Sequence, residues 1–380
     1  MNEDFTRPEE IPFQEVLDAL QDEDNPIKPR YLYRLTDLGR QEQAKISALW
    51  DSLPIWRRSG LLEDLEFLFE KNTLLSFEAI CRLAISDQEA EIRFLAIRSL
   101  DEYDVPDLID TFIQMMETDP DTDVRAMSAS ALGKYVFMGE VEDLPAATFH
   151  RLEERLLTTQ NGQDDDLIRR RALEALGFSS RPEVAERIEL AFASQDHDWM
   201  QSALFAMGRS YDERWHDSVL SMLTDRMPTI RAEAARAAGE LEMSSAAQHL
   251  IELTDDVDDE VRSAAIWSLS QIGGKTANRV LKELLAKSDT EEDVELITTA
   301  IDNLILNEEI GLRGILELPD NDDFDFDEDD LGDDDLDDGD LDDGDLDDDD
   351  LDDDDLDDDD LDEDDQAFDF DEFDDEDELN

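Results

Sequence analysis

One pattern limits what this chain can fold into. An aliphatic residue, then Arg, then small apolar residues, then Leu and often Gly, recurs at a nearly fixed interval. The copies are Ile92-Arg93 through Leu100, Val124-Arg125 through Leu132-Gly133, Ile168-Arg169 through Leu176-Gly177, Ile230-Arg231 through Gly239, and Val261-Arg262 through Leu269. A sixth copy, Trp199-Met200 through Met207-Gly208, lacks the arginine. Measured at the second position, the steps are 32, 44, 31, 31 and 31 residues, and the long step holds an insertion of about a dozen residues within 138–163. Self-similarity at such a period means a stacked array, because one unit cannot cover its own apolar face.

Between these copies lie second apolar-periodic segments: 107–116, 182–193, 218–223, 246–253 and 276–285. In the last, Val280, Leu281, Leu284 and Leu285 recur at three- and four-residue spacing, the signature of an amphipathic helix. An acid one or two residues before four of these five aliphatic-Arg pairs suits a helix start, where it caps free N–H groups and meets the positive end of the dipole. Gly and Pro total only 26 of 380 residues, which argues against a many-turned β fold.

The pattern Asp-x-x-Val-Arg-x-x-Ala-x-x-x-Leu-Gly resembles HEAT repeats, most closely the short HEAT-like repeats of phycobilisome lyases. The resemblance covers six to seven units over about residues 55–306. It implies an all-α fold, a right-handed α-solenoid of HEAT-like helical hairpins. It is far less specific for function, since such repeats serve many tasks. In the family, the arginine of the repeat is usually structural, and the resemblance implies that role for Arg93, Arg125, Arg169, Arg231 and Arg262. Met200 departs from the pattern and points to a weaker joint.

Both ends deviate as caps should. Leu61, Leu62, Leu65, Phe67, Leu68 and Phe69, behind Trp50, Trp56 and Arg57, read as a degenerate first unit. Val294-Glu295 replaces the Arg near the other end, and Ile297, Ile301, Leu304 and Ile305 close the stack. The expected organisation is an irregular acidic arm over 1–30 with one short helix near 13–20, a solenoid over 31–318, and a disordered acidic tail over 319–380.

Charge is concentrated in that tail. The formal net charge is −75; residues 320–380 hold 41 of the 107 acids and none of the 32 bases, which leaves −34 for the rest. Leu331, Leu336, Leu341, Leu346, Leu351, Leu356 and Leu361 recur every five residues among Asp, a spacing that gathers no stripe on a helix and no face on a strand. Dense like charge adds repulsion, so the tail is expected to be disordered. It lacks the glycine that a calcium loop needs at its sixth position, since Asp338 stands there when the loop is started at Asp333. Phe324, Phe326, Phe368, Phe370 and Phe373 are apolar islands in it, either partner anchors or passengers in a solubilising brush.

Several functions lack support. The acidic excess opposes direct binding to nucleic acid or an anionic membrane. One cysteine, Cys81, on an apolar helical face, excludes an internal disulfide framework and reads as a core thiol. No secretion signal, phosphate loop or nucleophile motif is visible, and the cytoplasm is the expected location. Related HEAT-like iron hydroxylases use His-Glu dyads as metal ligands, and none of His150, His197, His216 and His249 is followed by Glu. No cofactor and no metal is expected.

The informative slots are those a helical wheel leaves exposed on the repeat helix. Five residues past the second position of the pattern, the ruler for the steps above, stand Arg98, Ser130, Glu174, Phe205, Arg236 and Trp267; one residue past it stand Phe94, Ala126, Arg170, Gln201, Ala232 and Ser263. Trp, Phe and Arg carry most interface energy. Arg98, Arg170, Phe205, Arg236 and Trp267 are therefore the expected partner anchors, against the plainer reading in which Trp267 and Phe205 tuck onto the next repeat. Three functions follow: a non-enzymatic scaffold binding a protein or peptide on the concave face, an acidic-tail chaperone or nucleic-acid mimic for a basic protein, and a lyase- or hydroxylase-related enzyme. Only 7 Lys stand against 25 Arg, which fits a salt-adapted or high-GC source.

Overall fold

The computed structural model describes residues 10–288 and 290–316, with side chains as far as Asn307. Among them, all regular structure is helical. The chain divides into two units, 1–318 and 319–380. The second, with the disorder expected of it, lies outside the described residues.

The first unit begins with α1 (Phe13–Gln21), α2 (Pro29–Tyr33) and α3 (Arg40–Trp50). Phe13, Val16, Leu17 and Leu20 lie at helical spacing on α1 and are all buried, and α1 packs on α3. A series of inner helices follows: α4 (Ile55–Lys71), α6 (Ala90–Leu100), α8 (Thr122–Ala131), α11 (Asp166–Leu176), α13 (His197–Arg209), α15 (Pro228–Glu240), α17 (Asp259–Ile272) and α19 (Glu291–Leu316). Each packs on the next in line. From α6 onward each also packs on an outer helix that precedes it: α5 (Glu78–Ala84), α7 (Ile109–Thr118), α10 (Ala146–Asn161), α12 (Pro182–Ala193), α14 (His216–Met222), α16 (Ala247–Leu253) and α18 (Gly274–Leu285). This is an α-solenoid of seven hairpins among the described residues, capped by α1–α4. Inner helices pack closely along their series, whereas successive outer helices scarcely touch. The inner layer therefore lies on the concave side of the stack.

The repeat pattern builds the inner layer. Its aliphatic residue, Ile92, Val124, Ile168, Ile230 or Val261, is fully buried in each of the five copies that carry one. So is the small residue four positions on: Ala96, Ser128, Ala172, Ala234 and Ala265. Small residues let neighbouring backbones approach. The glycine of the pattern has the same purpose: a methyl group on Gly239 would meet Cα of Ser268 at 2.8 Å, and one on Gly177 would meet Cα of Ala206 at 2.9 Å. Gly177 is in right-handed helical conformation, so close approach, rather than a left-handed turn, requires it. Asp121, Asp165, Asp196 and Asp258 cap α8, α11, α13 and α17 by accepting first-turn N–H groups.

The insertion takes a definite form. The chain continues past α8 as an extra helix, α9 (Gly133–Glu140), against α11, and α10 extends to 16 residues where α12 has 12. It thus starts before the 138–163 window that repeat spacing marks, because Gly133 does not end the helical run.

Candidate interaction surface

Two sets of charged side chains join the hairpins. The first is the repeat arginine. Arg93 donates to both carboxylate oxygens of Asp119 at 2.8 and 2.7 Å and to the Asp87 carbonyl at 2.9 Å. Arg231 does the same with Asp256, at 2.9 and 2.8 Å, and with the Asp225 carbonyl. Arg125 grips Asp164 in the same forked way. In each case the carboxylate opens the following repeat, so the planar guanidinium bridges two units. Its bonds to Arg231 hold the carboxyl of Asp256 below the usual range. The ladder includes one member that the pattern did not mark: Arg58 on α4 pairs with Asp87, which also accepts Trp50 Nε1–H at 2.6 Å. Arg58 stands 35 residues before Arg93, within the spread of the repeat steps, and that register was the signal for it.

The ladder lapses in the middle. Among the described residues Arg169 has no carboxylate of the next repeat; it pairs with Asp166 of its own helix at 2.7 Å, donates to the Gln160 carbonyl and lies over the Trp199 ring at 5.1 Å. Met200 supplies no guanidinium at all. There the inner faces carry the links. Arg170 pairs with Asp198 at 3.2 Å, and the buried Glu174 carboxylate accepts Ser202 Oγ–H at 2.6 Å and an Arg171 N–H at 2.5 Å. Arg209 is inserted between the rings of Phe178 and Phe205, 4.8 and 4.2 Å from their centroids. Burial pushes its guanidinium pKa down and the carboxyls of Glu240 and Asp101 up, and lifts Glu233 to about 7.

The expected anchors fall into this frame. Arg170, Phe205, Arg236 and Trp267 stand on four successive inner helices, α11, α13, α15 and α17, with Arg98 apart from them on α6. All three arginines already hold carboxylates of adjacent inner helices: Arg98 holds Glu66 of α4, Arg170 holds Asp198 of α13, and Arg236 holds Glu260 of α17 at 2.8 Å. Phe205 is half-buried under Arg209. Trp267 is half-buried and outside the contiguous apolar core.

A groove lies elsewhere on the inner face, over α4, α6, α8 and α11, with a volume of about 680 Å³. Phe94, Leu95, Ala126, Met127 and Leu167 form its apolar floor. Glu63, Glu91, Asp121 and Asp123 stand along it, with Arg171 as the basic residue. Two of the floor residues, Phe94 and Ala126, occupy the slot one past the ruler. Among the described residues, none of the four acids forms an ion pair, although Asp121 caps α8 and its charge acts on the nearby Arg93. Arg171 is committed to Glu174.

Among the described residues, no group of three or more His, Cys, Asp and Glu side chains is placed to hold a metal ion. Cys81 is buried, and burial pushes its thiol up to about 12, far from a reactive thiolate. No helix among the described residues is long and apolar enough to cross a membrane.

Comparison with known proteins agrees with the repeat. The sequence matches HEAT repeats over residues 77–161 and 216–301. A search of curated proteins finds no match. Among solved structures, Escherichia coli YibA is 18% identical, covering 74% of this chain and 98% of its own, at a TM-score of 0.37. Human deoxyhypusine hydroxylase is 19% identical, covering 68% and 95%, at 0.32. The CpcE–CpcF complex of phycocyanin lyase from Nostoc is 17% identical, covering 60% and 94%, at 0.41. Likenesses at these values carry no argument about activity. Both matched stretches fall within the stacked hairpins, so these parts of the chain are built of HEAT repeats.

Proposed function

We propose that this protein is a non-enzymatic scaffold whose inner helices hold a segment of a partner protein. The observation that carries the reading is the groove over α4, α6, α8 and α11: an apolar floor, open to solvent, on the side where a solenoid presents its continuous surface. Its polar groups, mostly acids, are spread along the length rather than converging on one point, which is the layout of a segment-binding trough rather than a small-molecule site. On this reading the protein works in the cytoplasm, without cofactor or catalysis.

The anchor role of Arg98, Arg170, Phe205, Arg236 and Trp267 is the less supported version of the same idea. A partner that used those arginines would have to break existing ion pairs, whereas the groove is unoccupied by the protein's own side chains. A second reading has its own support in composition. The 41 acids and no bases of residues 320–380 favour capture of a basic protein by charge alone, with affinity that falls steeply as salt is added.

Affinity capture from the source cell separates the two. Three proteins are compared: wild type, Phe94→Glu/Met127→Glu, and a chain ending at Leu318. Loss of partners from the groove variant and their retention by the shortened chain are expected. The opposite outcome would transfer the function to the tail.

A further inference from the structure

We infer that the groove takes a basic amphipathic helix of a partner protein, about four to five turns long. This deepens the proposed function and rests on it.

Length comes from the fold. The groove reaches across four consecutive inner helices, and packed helices stand ~8–10 Å apart, so it extends over ~24–30 Å. At 1.5 Å per residue that is ~16–20 residues of helix. The floor favours a helix because its apolar side chains come from separate elements, with Phe94 and Leu95 on α6, Ala126 and Met127 on α8, and Leu167 on α11. A helix with leucine-like residues at i, i+3, i+4 and i+7 meets such spaced contacts with one stripe and keeps its own backbone bonded. An extended strand would leave backbone N–H groups over that apolar floor without acceptors.

Charge gives the sign. Glu91 and Asp123 sit in the first turns of α6 and α8, where the dipole tolerates an acid. A helix-start role alone would leave them like their counterparts further along. Those counterparts differ: Asp198 is taken by Arg170, Glu260 by Arg236, and Asp259 by Arg262. Over the groove Glu91 and Asp123 have no ion pair among the described residues, whereas the helix-start acids of α13 and α17 are paired. The one basic side chain there, Arg171, is matched by Glu174. Lysine or arginine rows flanking an apolar stripe meet those acids across the floor, and acidic rows are repelled.

The test uses the full-length protein and three synthetic 18-residue amphipathic helices with the same leucine stripe. Their polar rows are lysine, glutamate or glutamine, and each carries a photo-crosslinker at one leucine position. The acidic tail offers a lysine peptide a second site, so crosslink position, mapped by mass spectrometry, is the readout. The lysine helix is expected to crosslink within 90–130. Glu91→Lys/Asp123→Lys should cut that crosslink at least tenfold, and the milder Glu91→Gln/Asp123→Asn severalfold, with circular dichroism unchanged. If the glutamate or glutamine helix crosslinks there as well as the lysine one, the inferred charge is wrong and the scaffold reading survives. If none of the three marks the inner face, both fall.

Discussion

The joint between α6 and α8 and the joint between α11 and α13 are built on one repeat by opposite means. At the first, Arg93 and Asp119 lock the two hairpins through a forked, nearly buried pair, while the inner faces share no ion pair among the described residues. At the second, the ladder arginine pairs with Asp166 of its own helix rather than across the joint, and Arg170–Asp198 and Glu174–Ser202 tie the inner faces together. The two devices are not exclusive, because Arg58–Asp87 and Arg98–Glu66 both serve α4 and α6. The contrast still teaches something. Where a ladder pair holds a joint alone, the inner face is free to carry unmatched charge and exposed apolar floor. Where the ladder lapses, that face is spent on cohesion.

Arg93→Ala should have the largest effect. It removes one half of a pair in which both side chains are at most 10% exposed and strands the Asp119 carboxylate, which costs about 3–5 kcal/mol. Arg170→Ala should cost below about 1 kcal/mol, since Asp198 is 68% exposed and water replaces its partner. Chemical denaturation of both variants checks the ranking; equal losses would end the distinction between the joints.

Next comes the polar cluster that the second kind of joint buries. Burial in α15 lifts Glu233 to about 7 from an ordinary 4.5. The folded value is the higher one, so this carboxyl contributes its full stability below pH 4.5 and loses it as pH rises through 7. The loss amounts to about 3 kcal/mol by pH 9. Arg236, Glu240, Glu174 and Gln201 surround the group and set the remainder of its field. Glu233→Gln should therefore gain stability on wild type above pH 7 and match it near pH 4. Urea midpoints at pH 4, 7 and 9 measure this. The ladder has the opposite sign: Asp256, held low by Arg231, loses its contribution as pH falls through its folded value. A third, smaller effect concerns the close inner packing. Gly239→Ala forces α15 and α17 apart at Ser268 and should cost about 1–3 kcal/mol, visible as a lower thermal midpoint.

Much of this architecture is legible in the sequence because burial repeats. The aliphatic, small and leucine positions of each inner helix must fill the same cavity in every unit, so their spacing survives as a period. The second segments were readable for the same reason: the residues 182–193 expected as helix are α12. Arg58 was hidden by the bulky run around it, and α9 by a glycine that is there for close approach. The groove was only half visible. Phe94 and Ala126 occupy a slot that the helical wheel exposes, but the acids beside them look like ordinary helix-start residues. Whether such an acid is free depends on whether an arginine from the adjacent inner helix reaches it, as Arg236 reaches Glu260 across 24 residues. That is a property of three-dimensional neighbours, and local propensity does not contain it. The same blindness made Arg98, Arg170 and Arg236 look available.

The smallest expected effect is the most discriminating for the comparison. Glu91 and Asp123 each gain about 0.3–1 kcal/mol from the start of their own helix, and each is opposed by the other acids along the groove. These contributions nearly cancel, so Glu91→Gln/Asp123→Asn should change stability by less than about 0.5 kcal/mol, with the loss shrinking or reversing at low salt, where repulsion is least screened. The matched change on the self-paired side, Asp198→Asn/Glu260→Gln, breaks two ion pairs and should cost about 1 kcal/mol. Denaturation of both double variants at 20 and 500 mM salt decides the matter. If the groove acids prove as stabilising as the paired ones, they are part of the fold's cohesion, and an acid-lined trough held open for a partner loses its physical basis.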